Sequence, residues 1–251
     1  MTLAADLAAA LDPAVLFAHA FGLPALPWQR GYLREDRPTV VLKGRQVGAS
    51  LAAAALAIHK ATYWPNVDVV IVSPSLKQST EITTKARAGL RHLGAQLAQD
   101  STSTLRLGNG SRVVSLPGTP RSVRGYTAAL LILDEAAYIE PATWTAARAL
   151  VATGGRIVVQ STPAEEAGDF YELATGDDPA WARFTVRSDE VPTISADFLA
   201  AELRAMGPDA YASEYECEFG KVGASLLTVE RIASLILPEE APEETPWSTS
   251  G

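Results

Sequence analysis

Residues 39–50 read TVVLKGRQVGAS, and residues 51–62 continue as LAAAALAIHKAT. Thr39–Lys43 is a short apolar run suited to a buried strand. Residues 44–48 turn the chain, and the alanine-rich stretch from Ser50 to Thr62 carries it into a helix. A strand that is apolar throughout, with no polar alternation, is covered on both faces, which is the habit of parallel sheets. The pattern recurs downstream. Val67–Val72 is the next such strand, and it ends at Ser73-Pro74-Ser75, where a serine can cap a helix from Lys77 to about Leu97. Ala128–Leu133 and Arg156–Gln160 are two more, the first leading to a helix over Pro141–Val151. Leu105–Leu107 and Arg112–Leu116 flank Gly108-Asn109-Gly110, a hairpin signal. A short helix near Phe170–Leu173, a strand near Arg183–Val186 and helices near Ser195–Met206 and Pro208–Glu216 follow. Upstream, residues 3–21 read as an amphipathic helix with a break signal at Asp12-Pro13, and Gly22–Tyr32 reads as a Gly/Pro-rich loop. Together these give an α/β fold, a mostly parallel central sheet flanked by helices. Ligands of such sheets sit beyond the carboxyl ends of the strands.

Composition narrows the class. The chain has 251 residues, 47% hydrophobic, with mean hydropathy +0.07, enough to build a sizeable core. Its longest apolar runs, Leu51–Ile58 and Ala128–Leu133, fall short of the roughly 18 residues a membrane span needs. The opening MTLAADLAAALD lacks the basic flank of a secretory leader. One cysteine, Cys217, excludes an internal disulfide, and three scattered histidines add no thiolate-based metal site. A soluble intracellular protein is expected. The net charge of −8 hides an asymmetry: 14 Lys/Arg against 5 Asp/Glu between Arg30 and Ala128, then 7 against 22 over residues 129–251. The first half can present a basic face to nucleic-acid phosphates, although the same arginines suit solvated helix surfaces.

Three strands end in polar groups, and the chemistry is read there. A strand, a glycine turn and a helix, as in residues 43–50, aim backbone N–H groups at a phosphate, with Ser50 where a hydroxyl ligates Mg²⁺. The common pattern GxxxxGK[ST] has lysine where this chain has Ala49, so Lys43 and Arg45 are the cations able to reach back over the β- and γ-phosphates. Alone, the segment fits a plain strand-to-helix turn at least as well. Asp134 and Glu135 emerge together after Leu130–Leu133. Asp134 is placed for a Mg²⁺ shell and Glu135 to polarise an attacking water, or the pair simply opens a helix. The hydroxyls of Gln160-Ser161-Thr162-Pro163 are placed to sense a γ-phosphate, or form an ordinary loop. Trp28 and Gln29 offer a plane and an amide to adenine, against the commoner partly buried tryptophan. Arg121 and Arg124 lie in a loop just before the second motif, suited to a neighbouring subunit's site or to DNA phosphate.

Taken in order, these segments resemble the ATPase domain of the terminase large subunit, the DNA-packaging motor of tailed bacteriophages. The matching stretches are PWQ at 27–29, KGRQVGAS at 43–50, SVRGYTAALLILDEAAYI at 122–139, STP at 161–163 and YASEYECEFGKVGASLLTVERI at 211–232. The resemblance implies a P-loop NTPase core of the ASCE, RecA-like kind over residues 38–220. A helical segment with an adenine-contacting loop would precede it over 1–37, and a linker stub with an acidic, disordered tail would follow over 221–251. It implies ATP and Mg²⁺ as the nucleotide and ion. Trp28 and Gln29 would contact adenine; Gly44, Arg45, Gln46, Val47, Gly48, Ala49 and Ser50 would cradle phosphates; Ser50 and Asp134 would serve Mg²⁺. Glu135 would be the catalytic carboxylate and Arg124 an arginine finger acting in trans. Some members carry the essential lysine at the start of the loop, an arrangement Lys43 matches, with Arg45 as second candidate. Ser161, Thr162 and Pro163 would couple hydrolysis to movement.

The implied partners are double-stranded DNA, a homo-oligomeric ring commonly of five subunits, a portal protein, a small terminase subunit and a separate nuclease chain. The implied setting is the cytoplasm of an infected or lysogenic bacterial cell. Full terminase large subunits continue into an RNase H-like nuclease, a domain that needs on the order of 100 residues. With the chain stopping soon after Ile236, no nuclease activity is expected of it. Two rival readings share part of these motifs: a helicase-like DNA-stimulated ATPase, and a non-hydrolysing nucleotide-binding assembly module. All rest on polar side chains at the exits of adjacent parallel strands converging on one magnesium-bound triphosphate.

Overall fold

Every strand marked by an unbroken apolar run is buried along nearly all its length in the computed structural model, which describes residues 2–151 and 154–221. Helices α1 (Leu3–Leu11), α2 (Pro13–Phe21) and α3 (Pro27–Arg34) lead into strand β1 (Thr39–Lys43) and helix α4 (Ala49–Tyr63). Next come β2 (Asp68–Ser73), α5 (Leu76–His92), β3 (Leu97–Asp100), β4 (Thr104–Leu107) and β5 (Arg112–Pro117). The one-turn helix α6 (Pro120–Val123), β6 (Leu130–Asp134), α7 (Pro141–Arg148), β7 (Arg156–Ser161), α8 (Asp169–Thr175) and β8 (Ala182–Val186) follow. The helices α9 (Ala196–Met206) and α10 (Pro208–Glu216) complete the order. Residues up to Gly220 make one compact unit. The expectation for the acidic tail lies outside the described residues.

One eight-stranded sheet, ordered β3-β4-β5-β2-β6-β7-β1-β8, organises the unit. From β5 to β8 all neighbours are parallel, and β3 and β4 add an antiparallel edge. Each face carries its own core. Val41, Ile71, Ile132 and Val158 pack beneath α1–α5, while Val40, Val72, Leu133 and Val159 pack toward α7 and α8. Side chains alternate between faces along a strand, so burial on both sides removes any room for polar alternation. The crossover from β1 through α4 to β2 skips two places in the sheet, which β6 and β7 fill. The expectation of adjacent strands is therefore corrected for the first two polar motifs, because β7 lies between the strands that carry them.

Three local expectations are corrected. The Gly/Pro-rich segment holds a helix: Pro27 opens α3, the Gln29 side chain accepts the Leu26 N–H at 2.8 Å, and Gln29, Tyr32 and Leu33 are buried. The helix after Ser75 ends at His92 rather than near Leu97, because Gly94 and Ala95 N–H turn back onto the Arg91 and Leu90 carbonyls. Leu97–Asp100 is then free to pair with β4, and Arg87 and Arg91 both grip Asp100. Within the loop after β5, Pro120–Val123 makes one helical turn capped by Thr119. The break at Asp12-Pro13 is as expected: Asp12 accepts the Ala14 N–H at 2.9 Å and starts α2.

Helix α4 is narrow enough to sit close to its neighbours because Ala52–Ala55, Ala57 and Ala61 are fully buried small residues. Opposite them on α5, a Cβ at Gly89 would stand 2.7 Å from Ile58 Cδ1 and 3.1 Å from Phe21 Cε1. Overpacking such a contact costs about 1–3 kcal/mol. Gly89→Val should therefore lower the unfolding free energy from urea titration by that amount; an unchanged value would show that the three helices adjust freely.

Candidate functional site

Parity along the strands brings the polar groups together. Val41, Ile132 and Val158 face the core beneath α4, so Lys43, Asp134 and Gln160, two residues further on, face the same way. Asp134 and Gln160 are opposite each other in register, and Gln160 Nε2 donates to Asp134 Oδ1 at 2.7 Å. Asp134 is 5% exposed. Burial pushes its carboxyl above the usual range, opposed by the charge of Lys43 and by the Gln160 hydrogen bond.

Strict alternation would send Glu135 to the opposite face from Asp134. Its backbone is instead left-handed, at φ +50°, a conformation that a non-glycine residue adopts at some cost. The carboxylate consequently meets Lys43, whose Nζ donates to Oε1 at 2.8 Å. Ser161 Oγ donates to the other oxygen at 3.3 Å. Lys43 is nearly buried, and one strand exit now holds two carboxylates on one side of the sheet.

Between β1 and α4 the loop is fastened from outside. Gly44 N–H donates to the Val186 carbonyl, Arg45 N–H to the Glu214 carbonyl, and Ser188 Oγ to the Arg45 carbonyl, each at 2.8 Å. Only glycine fits at 44, since a Cβ would lie 2.7 Å from the Tyr215 carbonyl oxygen. Gly48 turns the far end at φ +85°, and its carbonyl accepts Gln29 Nε2 at 3.1 Å. No side chain caps α4, so its first N–H groups have neither a helical nor a side-chain partner. A cavity of about 220 Å³ opens here, lined by the loop and by Lys85 from α5. A larger one of about 610 Å³ adjoins Lys43, Arg45, Ser50, Glu135, Thr162 and Tyr215. A third, about 630 Å³, opens at the other end of the strands beside Lys60 and Arg106 and contains none of the motif residues.

The sequence-predicted residues divide accordingly. Lys43, Ser50, Glu135 and Thr162 line the larger cavity, with Ser161 and Asp134 buried just behind them. Gly44, Gln46, Val47, Gly48 and Ala49 line the smaller one. Arg45 also lines the larger cavity, where it pairs with Glu214. The Pro163 carbonyl accepts Ser213 Oγ at 3.1 Å, tying the STP turn to α10. Trp28 and Gln29 line neither cavity. Trp28 packs against Tyr32 with ring centroids 6.1 Å apart, and the Gln29 amide is 2% exposed and spent on the Leu26 and Gly48 backbone. Arg124 is exposed at the end of α6, outside both cavities. Sequence reasoning missed the hold of Gln160 on Asp134, which a polar residue inside an apolar strand signals. It also missed Glu214 and Ser213, which no local pattern marks.

A parallel sheet in which a glycine loop and a carboxylate pair end two strands separated by a third defines a P-loop NTPase of the RecA-like class. Residues 40–234 match the sequence profile described as terminase large subunit, T4likevirus-type, N-terminal. The chain belongs to that family. Its fold is similar to the large terminase ATPase domain of Thermus phage P74-26, with TM-score 0.73 at 22% identity, covering 83% of this chain and 99% of that one. The large terminase of bacteriophage HK97 gives 0.68 at 14% identity, covering 84% and 55%. The ADP complex of the thermophilic bacteriophage D6E large terminase gives 0.64 at 13%, covering 77% and 51%. This chain thus spans about half the length of the last two.

Asp134 offers a test of the site's electrostatics. A carboxyl raised by burial is protonated more readily in the folded than in the unfolded chain, so its ionisation costs stability once pH exceeds the unfolded value. Asp134→Asn should raise the unfolding free energy from urea titration at pH 7, without nucleotide or divalent ion, by roughly 1–3 kcal/mol. The gain should vanish below about pH 4, where the carboxyl is protonated in both states. A lowered midpoint at pH 7 contradicts this account.

Proposed function

We propose that this chain is an ATP-hydrolysing subunit of a motor that translocates double-stranded DNA into a phage prohead. The observation that carries the reading is the Lys43–Glu135–Ser161 constellation, set beside Asp134 at the mouth of the glycine loop. The D6E large terminase has been seen with ADP and with ATP-gamma-S, which supports nucleotide binding in this fold. The triphosphate would lie on the N–H groups of residues 46–50, at the unpartnered first turn of α4, since those of Gly44 and Arg45 are spent on the Val186 and Glu214 carbonyls.

Ser50 and Asp134 are hard oxygen donors of the kind Mg²⁺ takes. Two buried oxygens without partners, Gln160 Oε1 and Ser73 Oγ, add to the fit, and Ser73 stands level with Asp134 on the neighbouring strand. Among the described residues no group of three or more His, Cys, Asp or Glu side chains converges, so the remaining ligands would be phosphate oxygens and water. When bound, the ion neutralises charge on the phosphate oxygens.

Glu135 acts as the base. One carboxylate oxygen takes a proton from the water attacking the γ-phosphorus, while Lys43 and Ser161 hold the group in place. Loss of the γ-phosphate alters what Glu135 meets, and Ser161 hands that change to the STP turn. From there it passes through the Pro163–Ser213 hydrogen bond to α10. Arg124 lies outside its own subunit's cavities, where it suits an arginine finger reaching into a neighbour. The assembly this reading implies is a homo-oligomeric ring, commonly of five, seated on a portal protein and served by a small terminase subunit. Contacts to DNA phosphate from the basic first half would grip without reading sequence. The site opens to water in a chain that, among its described residues, has no helix long and apolar enough to cross a membrane. The host cytoplasm is its place of action.

Glu135→Gln should bind ATP with near-normal affinity and lose about 10²-fold or more of its DNA-stimulated hydrolysis. Release of labelled phosphate with and without duplex DNA measures this, and full turnover removes Glu135 from the role of base. Arg124→Ala should be inactive alone yet regain turnover when mixed with excess Glu135→Gln subunits, which supply the missing arginine. No recovery in such mixtures places Arg124 outside the neighbouring site.

A further inference from the structure

Gln160 is a polar side chain at the end of an apolar run. Ile157, Val158 and Val159 precede it, and it is fully buried along with them. Packing alone would be met by another aliphatic residue, because an amide taken from water must recover its hydrogen bonds. Half of this amide does so: Nε2 donates to Asp134 Oδ1 at 2.7 Å. The other half, Oε1, has no partner. Resting on the nucleotide reading above, we propose that Gln160 is the positioning residue for Asp134, holding its carboxylate in the orientation that receives a divalent ion.

Three observations support this. Asp134 and Gln160 are opposite each other in the register of β6 and β7, so the sheet itself sets the contact. The hydrogen bond occupies one carboxylate oxygen, and among the described residues no other side chain donates to Asp134. The second oxygen is thereby left without a side-chain partner. On the other flank of Asp134 stands Ser73, at the end of β2, also fully buried and with its Oγ unpartnered. Buried oxygens without partners on both sides of a carboxylate suit a hydrated cation, whose waters donate to them. Carboxylates that bind metals are themselves held by hydrogen bonds from outer partners, which fix their orientation. The next residue along, Ser161, donates to Glu135. Two consecutive residues of β7 thus hold the two carboxylates at the exit of β6.

Binding of ATP-gamma-S to the full chain, measured calorimetrically with Mg²⁺ and again with a chelator in its place, separates the ion's share of the affinity from the loop's. Gln160→Met roughly keeps the side-chain volume and removes the amide. It should lower the affinity measured with Mg²⁺ about tenfold or more, the usual effect of losing a ligand's outer partner, and leave the metal-free affinity unchanged. Gln160→Leu should behave alike. In an Asp134→Asn background, where the ligand itself is gone, Gln160→Met should have no further effect. Equal losses with and without Mg²⁺ would mark Gln160 as a packing residue and overturn the proposal. An additional loss on top of Asp134→Asn would overturn it too, as would undiminished affinity with Mg²⁺ in both single variants. An unaltered chain that binds the nucleotide no better with Mg²⁺ than without, or not at all, overturns the nucleotide reading itself, and this assignment with it.

Discussion

The ion pair between Lys43 and Glu135 joins two strands that do not touch. β1 and β6 are held apart by β7, yet the last residue of β1 meets the residue just past β6 across its end, and Ser161 of the intervening strand donates to the same carboxylate. Everything proposed for this chain depends on that convergence. It requires parallel strands of matched register, so that Lys43 and Asp134 leave the sheet on one face. It also requires a break in alternation, which the left-handed backbone at Glu135 provides. A nearly buried lysine and a carboxylate are costly to hold apart from water unless each satisfies the other. The contact therefore fixes the mouth of the site as much as it prepares it for chemistry.

The loop between β1 and α4 has little internal structure of its own, and its shape comes from the parts around it. β8, Ser188 and α10 secure its front, and Gln29 secures its rear. This explains why Gln29 is buried rather than offered to a base. Its amide satisfies the Leu26 N–H and the Gly48 carbonyl at once, which ties α3 to the loop. The same fastening makes the loop sensitive to movements of α10, and the Pro163–Ser213 bond gives α10 a second line to Glu135.

Much of the fold was legible because its strands are covered on both faces, and their unbroken apolar runs stand out from any helix pattern. The carboxylate pair and the glycine loop were legible for a related reason: polar residues at the end of such a run have nowhere to go but the sheet edge. The sheet order was not legible, since nothing in residues 39–43 or 130–134 says that a third strand separates them. Helix α3 was hidden by its prolines and glycines, although Pro27 and Gln29 are an opening pair for a helix. The strand at Leu97–Asp100 was hidden by its short length and by reliance on tertiary pairing with Thr104–Leu107. The partners of the loop, Glu214 and Ser188, lie far along the chain, beyond the reach of any local pattern.

That separation has a consequence for synthesis. Arg45 receives its backbone partner from Glu214, 169 positions later in the chain. During translation the β1–α4 segment emerges early but lacks its clamp until α10 has left the ribosome. Contacts between distant parts of a chain form late in folding. The backbone clamp on this loop is therefore completed only when nearly all of the compact unit has been made.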